Sequence, residues 1–179
     1  MKKIKIQAIV VLVLSALFIM GCDKGNSVKI YQSAEEMVKD AEQNVKQLTV
    51  QELGAMLDKS ENFILIDVRE LDEHNAGFIP GSILIARGVL EFRIAKTETW
   101  EAEGLYAPKK EDAIVIYDKL GHRGILAAET LAKLGYTNVK VVKGGWAEWE
   151  KAFPAKIEKI ETPLAPVGTS TGEAKSGGC

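Results

Sequence analysis

The 179-residue sequence contains only two cysteines, Cys22 and Cys179, and two histidines, His74 and His122. Cysteines at opposite ends of a chain offer no disulfide framework, and no His/Cys/Asp/Glu cluster has metal-ligand spacing. Positive charge is not in excess either: 23 Lys and Arg stand against 25 Asp and Glu. With no basic stripe or Lys/Arg-rich helix, a nucleic-acid-binding role is excluded. No apolar run reaches the roughly 20 residues that cross a hydrocarbon core comfortably, and there is no internal repeat. What the chain does have is apolar side chain, 46% of residues against 27% charged, enough at this length to bury one sizeable core and not two.

An uncharged stretch from Ile6 to Gly21 follows Lys2, Lys3 and Lys5 and stops at Cys22. A charged start and a short apolar run ending in a small residue form the layout of a secretory signal peptide. Ile19-Met20-Gly21-Cys22 resembles the bacterial lipobox, in which the cysteine is lipidated after cleavage; Ile stands where Leu is commoner. Residues 1–21 are therefore expected to be a lipoprotein signal peptide and Cys22 the lipidation site. The mature chain would be held on the extracytoplasmic side of a bacterial membrane. Each buried acyl methylene contributes about 0.8 kcal/mol, so several chains anchor stably. An ordinary signal peptide with an incidental cysteine is one alternative, and a spanning helix another. Loss of the leader lysines leaves 20 basic against 25 acidic residues, an acidic mature chain.

Beyond a short polar tether, Ala34, Met37, Val38, Ala41 and Val45 recur at helical spacing, which predicts a helix over Ser33–Lys46 with Ser33 as N-cap. A second helix is predicted over Val50–Leu57. Runs at Phe63–Val68, Ala113–Tyr117 and Val139–Val142 read as strands, two of them with the continuous β-branched core of parallel strands buried on both faces. Ser82–Ala86, after the turn Ile79-Pro80-Gly81, reads as a fourth. Between the second and third runs, Arg123–Leu134 shows a broad apolar helical face stopped by Gly135. Strands alternating with helices imply an α/β domain with a mostly parallel sheet. Ala95–Asp112 has no clear period and reads as a long connection, a surface lid or edge loop. After Pro154 the composition turns to Pro, Gly, Ser, Thr and Glu, which predicts a disordered tail over residues 155–179.

Three segments carry a family resemblance. Asp67-Val68-Arg69-Glu70, followed by Glu73-His74 and Gly77-Phe78-Ile79-Pro80-Gly81-Ser82, resembles the first signature of the rhodanese family, with Phe78 where that family more often has His. Tyr117 to Gly124 resembles the second, and Gly144-Gly145-Trp146-Ala147-Glu148-Trp149 the third. The resemblance implies a rhodanese-like three-layer fold, a mostly parallel central sheet flanked by helices, over residues 48–154. Residues 22–47 would then form the tether and N-terminal helix.

The second signature has a physical logic of its own. A strand ends, a short loop follows and a helix begins, so backbone N–H groups converge on one anion-sized space. In rhodaneses the residue opening this loop is a cysteine that carries sulfur as a persulfide. Here the loop is Asp118, Lys119, Leu120, Gly121, His122, Arg123 and Gly124, and it opens with Asp118. A carboxylate suits the cradle, with Arg123 near enough in sequence to pair with it, but oxygen is a hard, weak nucleophile toward sulfur. Four residues separate Asp118 from Arg123, the rhodanese loop length; arginine-dependent phosphatases of the same fold use one more. Leu120, at the place of a second magnesium-holding aspartate, argues against an aspartyl-phosphate mechanism.

Of the remaining candidates, Asp67 and Arg69 are expected to support the site. Arg69 and Glu70 serve equally well as site lining or as an ion pair bracing the loops. His122 is expected to be solvated, though it is placed to sense an anion, and His74 to be structural. Trp146 and Trp149 are expected to pack the last helix on the sheet. The expected role is that of a catalytically inactive binding or regulatory module for a protein partner or a small sulfur-containing anion, with no cofactor and no metal. The rival is a sulfurtransferase or sulfur carrier in which Cys179, or a partner's persulfide, uses the Asp118–Arg123 loop as a docking cradle. A flexible tail of about 24 residues reaches roughly 25–30 Å. Alternatively, Cys179 has no role or forms a disulfide with another protein.

Overall fold

A computed structural model of the chain describes residues 28–160. Two compact units divide between Gln32 and Ser33. Of the first, only residues 28–32 are described, and they contain no helix or strand. Cys22, Cys179, the expected signal peptide and most of the expected tail lie outside the described residues. Among the described residues, no helix is long and apolar enough to cross a membrane.

The second unit runs α1 (Ala34–Glu42), β1 (Lys46–Leu48), α2 (Val50–Asp58), β2 (Ile64–Asp67), α3 (Leu71–Ala76) and β3 (Ser82–Leu84). After a 3-10 turn at Arg87–Val89 come α4 (Leu90–Arg93), α5 (Thr97–Glu101), β4 (Ile114–Tyr117), α6 (His122–Lys133), β5 (Val139–Val142) and α7 (Gly145–Ala152). The five strands form one sheet in the order β1-β5-β4-β2-β3, every pairing parallel. Parallel neighbours need crossover connections: α3 joins β2 to β3 and α6 joins β4 to β5, while α2 links β1 to the non-adjacent β2.

Alternation along the strands builds the three layers. Ile66, Ile114, Ile116 and Val141 face one core, where α1, α4, α5 and α6 contribute Val38, Leu90, Trp100 and Leu131. Leu65, Val115, Tyr117 and Val142 face the other, where α2 and α7 contribute Leu53, Trp146 and Trp149. The two tryptophans thus pack the last helix on the sheet, as expected.

The structure corrects the sequence reading in three places. The first helix stops at Glu42, because residues 46–48 leave it to form β1, the edge strand paired with β5. Ala95–Asp112 is not a free lid: it contains α5, whose Trp100 is fully buried and donates its indole N–H to the Ile94 carbonyl at 2.8 Å. The chain beyond Pro154 does not become tail at once. Phe78 and Glu158 pair through two backbone hydrogen bonds, and Ile157 packs against the α2/α7 core.

Candidate functional site

Where the parallel strands end, two groups of polar side chains converge, the position at which open α/β sheets place ligands. The first is built by register. Asp67 and Tyr117 are direct neighbours at the ends of β2 and β4, and the Asp67 carboxylate is fully buried between several donors. It accepts from the Arg69 N–H at 3.0 Å and the Arg69 guanidinium at 2.7–3.1 Å. The Tyr117 hydroxyl donates to it at 2.9 Å, and His74 Nδ1 lies at 2.8 Å. An acceptor-only carboxylate makes Nδ1 the protonated nitrogen. Burial pushes the Asp67 carboxyl up, but His74 and Arg69 outweigh it and hold it below the usual carboxylate range. Burial, then the Asp67 charge, push the Tyr117 phenol well up.

Arg69 extends this group. Its guanidinium donates to the carbonyls of Glu73 and Gly77 and lies over the Trp146 ring at 4.5 Å. The expected alternative of an Arg69–Glu70 ion pair is thereby replaced: Arg69 pairs with Asp67. His74 is structural, buried and stacked on Phe78 with ring centroids 4.3 Å apart.

The second group is the loop after β4. Asp118 is 2% exposed, and its carboxylate accepts N–H bonds from Gly124 at 3.1 Å, Arg123 at 3.2 Å and Leu120 at 3.4 Å. Three of the N–H groups in the loop and at the start of α6, those of Leu120, Arg123 and Gly124, are therefore occupied by the chain's own carboxylate. From below, Trp146 donates its N–H to the Asp118 carbonyl at 2.7 Å and Ala147 to that of Lys119 at 3.0 Å. Gly145 makes this approach feasible: its φ is +57°, and a Cβ there would lie 2.2 Å from the Asp118 carbonyl oxygen.

Arg123 does not use its fork on Asp118. Both terminal nitrogens bind the Glu73 carboxylate, at 2.7 and 2.8 Å, and only Nε approaches Asp118, at 3.7 Å. This pairing holds Glu73 below the ordinary carboxylate range and raises Arg123. Glu73 is the site residue that sequence reasoning missed, because 50 positions separate it from its partner and only the fold brings them together. Lys119 and His122 are exposed, as is Leu120, while Gly121 stands just ahead of α6 as its N-cap, with φ +98°. Among the described residues no cluster of His, Cys, Asp or Glu is arranged to hold a metal.

Comparison with known proteins fits this arrangement. Residues 49–152 match the rhodanese-like domain family. The human thiosulfate:glutathione sulfurtransferase is 36% identical over 89 residues, 48% of this chain and 76% of that protein. The thiosulfate sulfurtransferase GlpE of Pseudoalteromonas translucida is 26% identical over 114 residues, 64% of this chain and 97% of that one. Among solved structures, the human single-domain sulfurtransferase TSTD1 superimposes with a TM-score of 0.55 at 31% identity, covering 60% of this chain and 96% of its own. A parallel five-stranded sheet between helical layers, a loop of converging N–H groups at its carboxyl end and a family match over more than half the sequence lead to one conclusion: this chain belongs to the rhodanese-like domain family, alongside sulfurtransferases.

Proposed function

We propose that this chain is a membrane-anchored rhodanese-like module that binds a protein partner or small sulfur-containing anion at its loop face and does not itself transfer sulfur. The observation that carries the reading is the buried Asp118 carboxylate, which accepts three backbone N–H bonds in the cradle. By the resemblance of its loop, Asp118 stands where sulfurtransferases of this family hold their cysteine. An oxygen nucleophile there cannot carry a sulfane sulfur as a persulfide. The anchor rests on Lys2, Lys3, Lys5, the apolar run and Cys22.

The test is a thiosulfate-to-cyanide sulfur-transfer assay on protein lacking residues 1–22, with Cys179 intact and as Cys179→Ser. Neither form should turn over. Turnover that survives Cys179→Ser would overturn the assignment, because no thiol remains in that protein. Turnover lost with Cys179 would favour the rival, a carrier thiol docking on the loop.

A further inference from the structure

The guanidinium of Arg123 is surrounded by carboxylates. Glu73 holds both of its terminal nitrogens, at 2.7 and 2.8 Å, and Asp118 lies 3.7 Å from its Nε. The hydrogen bonds to Glu73 raise Arg123 most, and the charges of Asp118 and Glu70 act in the same direction. Glu73 is itself pinned from a second side, because the Glu70 N–H donates to its carboxylate at 3.1 Å. Beside this pair the Asp118 carboxylate, 2% exposed, takes the N–H groups of Leu120, Arg123 and Gly124. An ionised carboxylate is negative and accepts without donating, as a small oxyanion does. The chain thus places its own acidic oxygens on the donors that a bound anion would use.

We propose that the loop carries its own anion: Asp118 fills the N–H cradle, Glu73 fills the Arg123 fork, and together they make the loop face refuse small anions such as thiosulfate. The inference deepens the binding-module reading and rests on it, assigning the loop face to a protein partner in place of a free anion. Glu73 is the residue that sets this specificity. An incoming anion must displace it from Arg123 and break two charge-assisted hydrogen bonds. The competition is unequal, since α3 already holds Glu73 in place while a free anion loses translational and rotational freedom on binding. Such an anion also approaches the negative charges of Asp118, Glu73 and Glu70, and like charges brought together suppress the wrong ligand. Lys119 and His122 on the same loop are exposed, and a solvated cation holds an anion weakly.

The experiment follows backbone amide and arginine Nε–H resonances of the full-length chain, in uncharged detergent micelles, during titration with sodium thiosulfate at constant ionic strength. Wild type should give no saturable shift in the millimolar range at the Leu120, Arg123 and Gly124 amides or at Arg123 Nε. Glu73→Gln, at a pair partly exposed to solvent, should bring a saturable shift at Arg123 Nε. Asp118→Ala/Glu73→Gln should add the three loop amides and bind thiosulfate about tenfold more tightly than Glu73→Gln, the scale of one hydrogen bond to a charged group. If the double variant fails to fold, wild type and Glu73→Gln decide the outcome between them. Saturable binding by wild type, a Glu73→Gln chain as unresponsive as wild type, or a folded double variant that binds no better than Glu73→Gln would each overturn the proposal. Wild-type binding without sulfur transfer would leave the module reading standing with a free anion as its ligand, whereas turnover of thiosulfate to cyanide would sink that reading itself.

Discussion

Asp67 stays charged at a fully buried position, and this gives stability a pH dependence of definite sign. Its carboxyl and that of Glu73 both lie below their ordinary range in the folded chain. Each therefore contributes stability that is fully present above the unfolded value of about 4 and is lost as pH falls through the lower folded value. Thermal unfolding followed by circular dichroism should show a Tm that is level near neutrality and declines below about pH 4. Asp67→Asn leaves the buried Arg69 guanidinium without its counter-charge and should cost about 3–5 kcal/mol. Glu73→Gln, at a pair partly exposed to solvent, should cost about 0.5–1 kcal/mol. A second residue-scale expectation concerns the cradle. In a Cys179→Ser background, Asp118→Cys should give a thiol that alkylates with a pKa below the unperturbed value of about 8.5, because the loop N–H groups remain in place. Stability should drop by about 1–2 kcal/mol for the lost N–H bonds. An ordinary thiol pKa would mean that those groups do not converge on residue 118. At this scale the sequence was legible where partners share a signature, as Asp67 and Arg69 do. Asp118 and the Arg123 N–H were also within reach, but the Arg123 fork was not, since its acceptor comes from another segment.

Among the elements, α7 has the most direct hold on the loop. Its first residue, Gly145, has both a left-handed backbone and no room for a side chain. Gly145→Ala should therefore cost about 2 kcal/mol or more in urea unfolding, and the amide resonances of Asp118 and Lys119 should move with it. A variant as stable as wild type, with those resonances unmoved, would contradict the packing of Trp146 and Ala147 under the loop. The α2 start is held by a reciprocal cap, in which Glu52 N–H donates to the Thr49 hydroxyl and Thr49 N–H to the Glu52 carboxylate. Thr49-Val50-Gln51-Glu52 carries that signal openly. Strand β1 was hidden for a different reason: three residues, only Leu48 of them buried, carry no period, and their pairing to β5 is settled by a partner nearly a hundred positions away.

For the whole molecule, long apolar runs and the helix between them made the parallel sheet legible, because burial on both faces leaves a mark in composition as well as in pattern. The placement of Trp100 and of residues 156–158 was not legible, since sparse polar segments do not announce what they cover. The buried core of the described residues begins at Val38. Metabolic labelling with a palmitate analogue should mark the full-length chain, and Cys22→Ser should abolish the label while leaving the Tm of the globular unit unchanged. An unlabelled wild type would defeat the lipid anchor.

The bonds from α7 to the loop are made by main-chain atoms at both ends: Trp146 and Ala147 give N–H groups, and Asp118 and Lys119 receive them on carbonyls. These bonds do not involve the side chain at position 118, whose carboxylate is held separately by the N–H groups of Leu120, Arg123 and Gly124. A change of side chain at position 118 would therefore leave these main-chain supports standing, so the loop keeps its seat on α7 while the chemistry it presents is set by one residue.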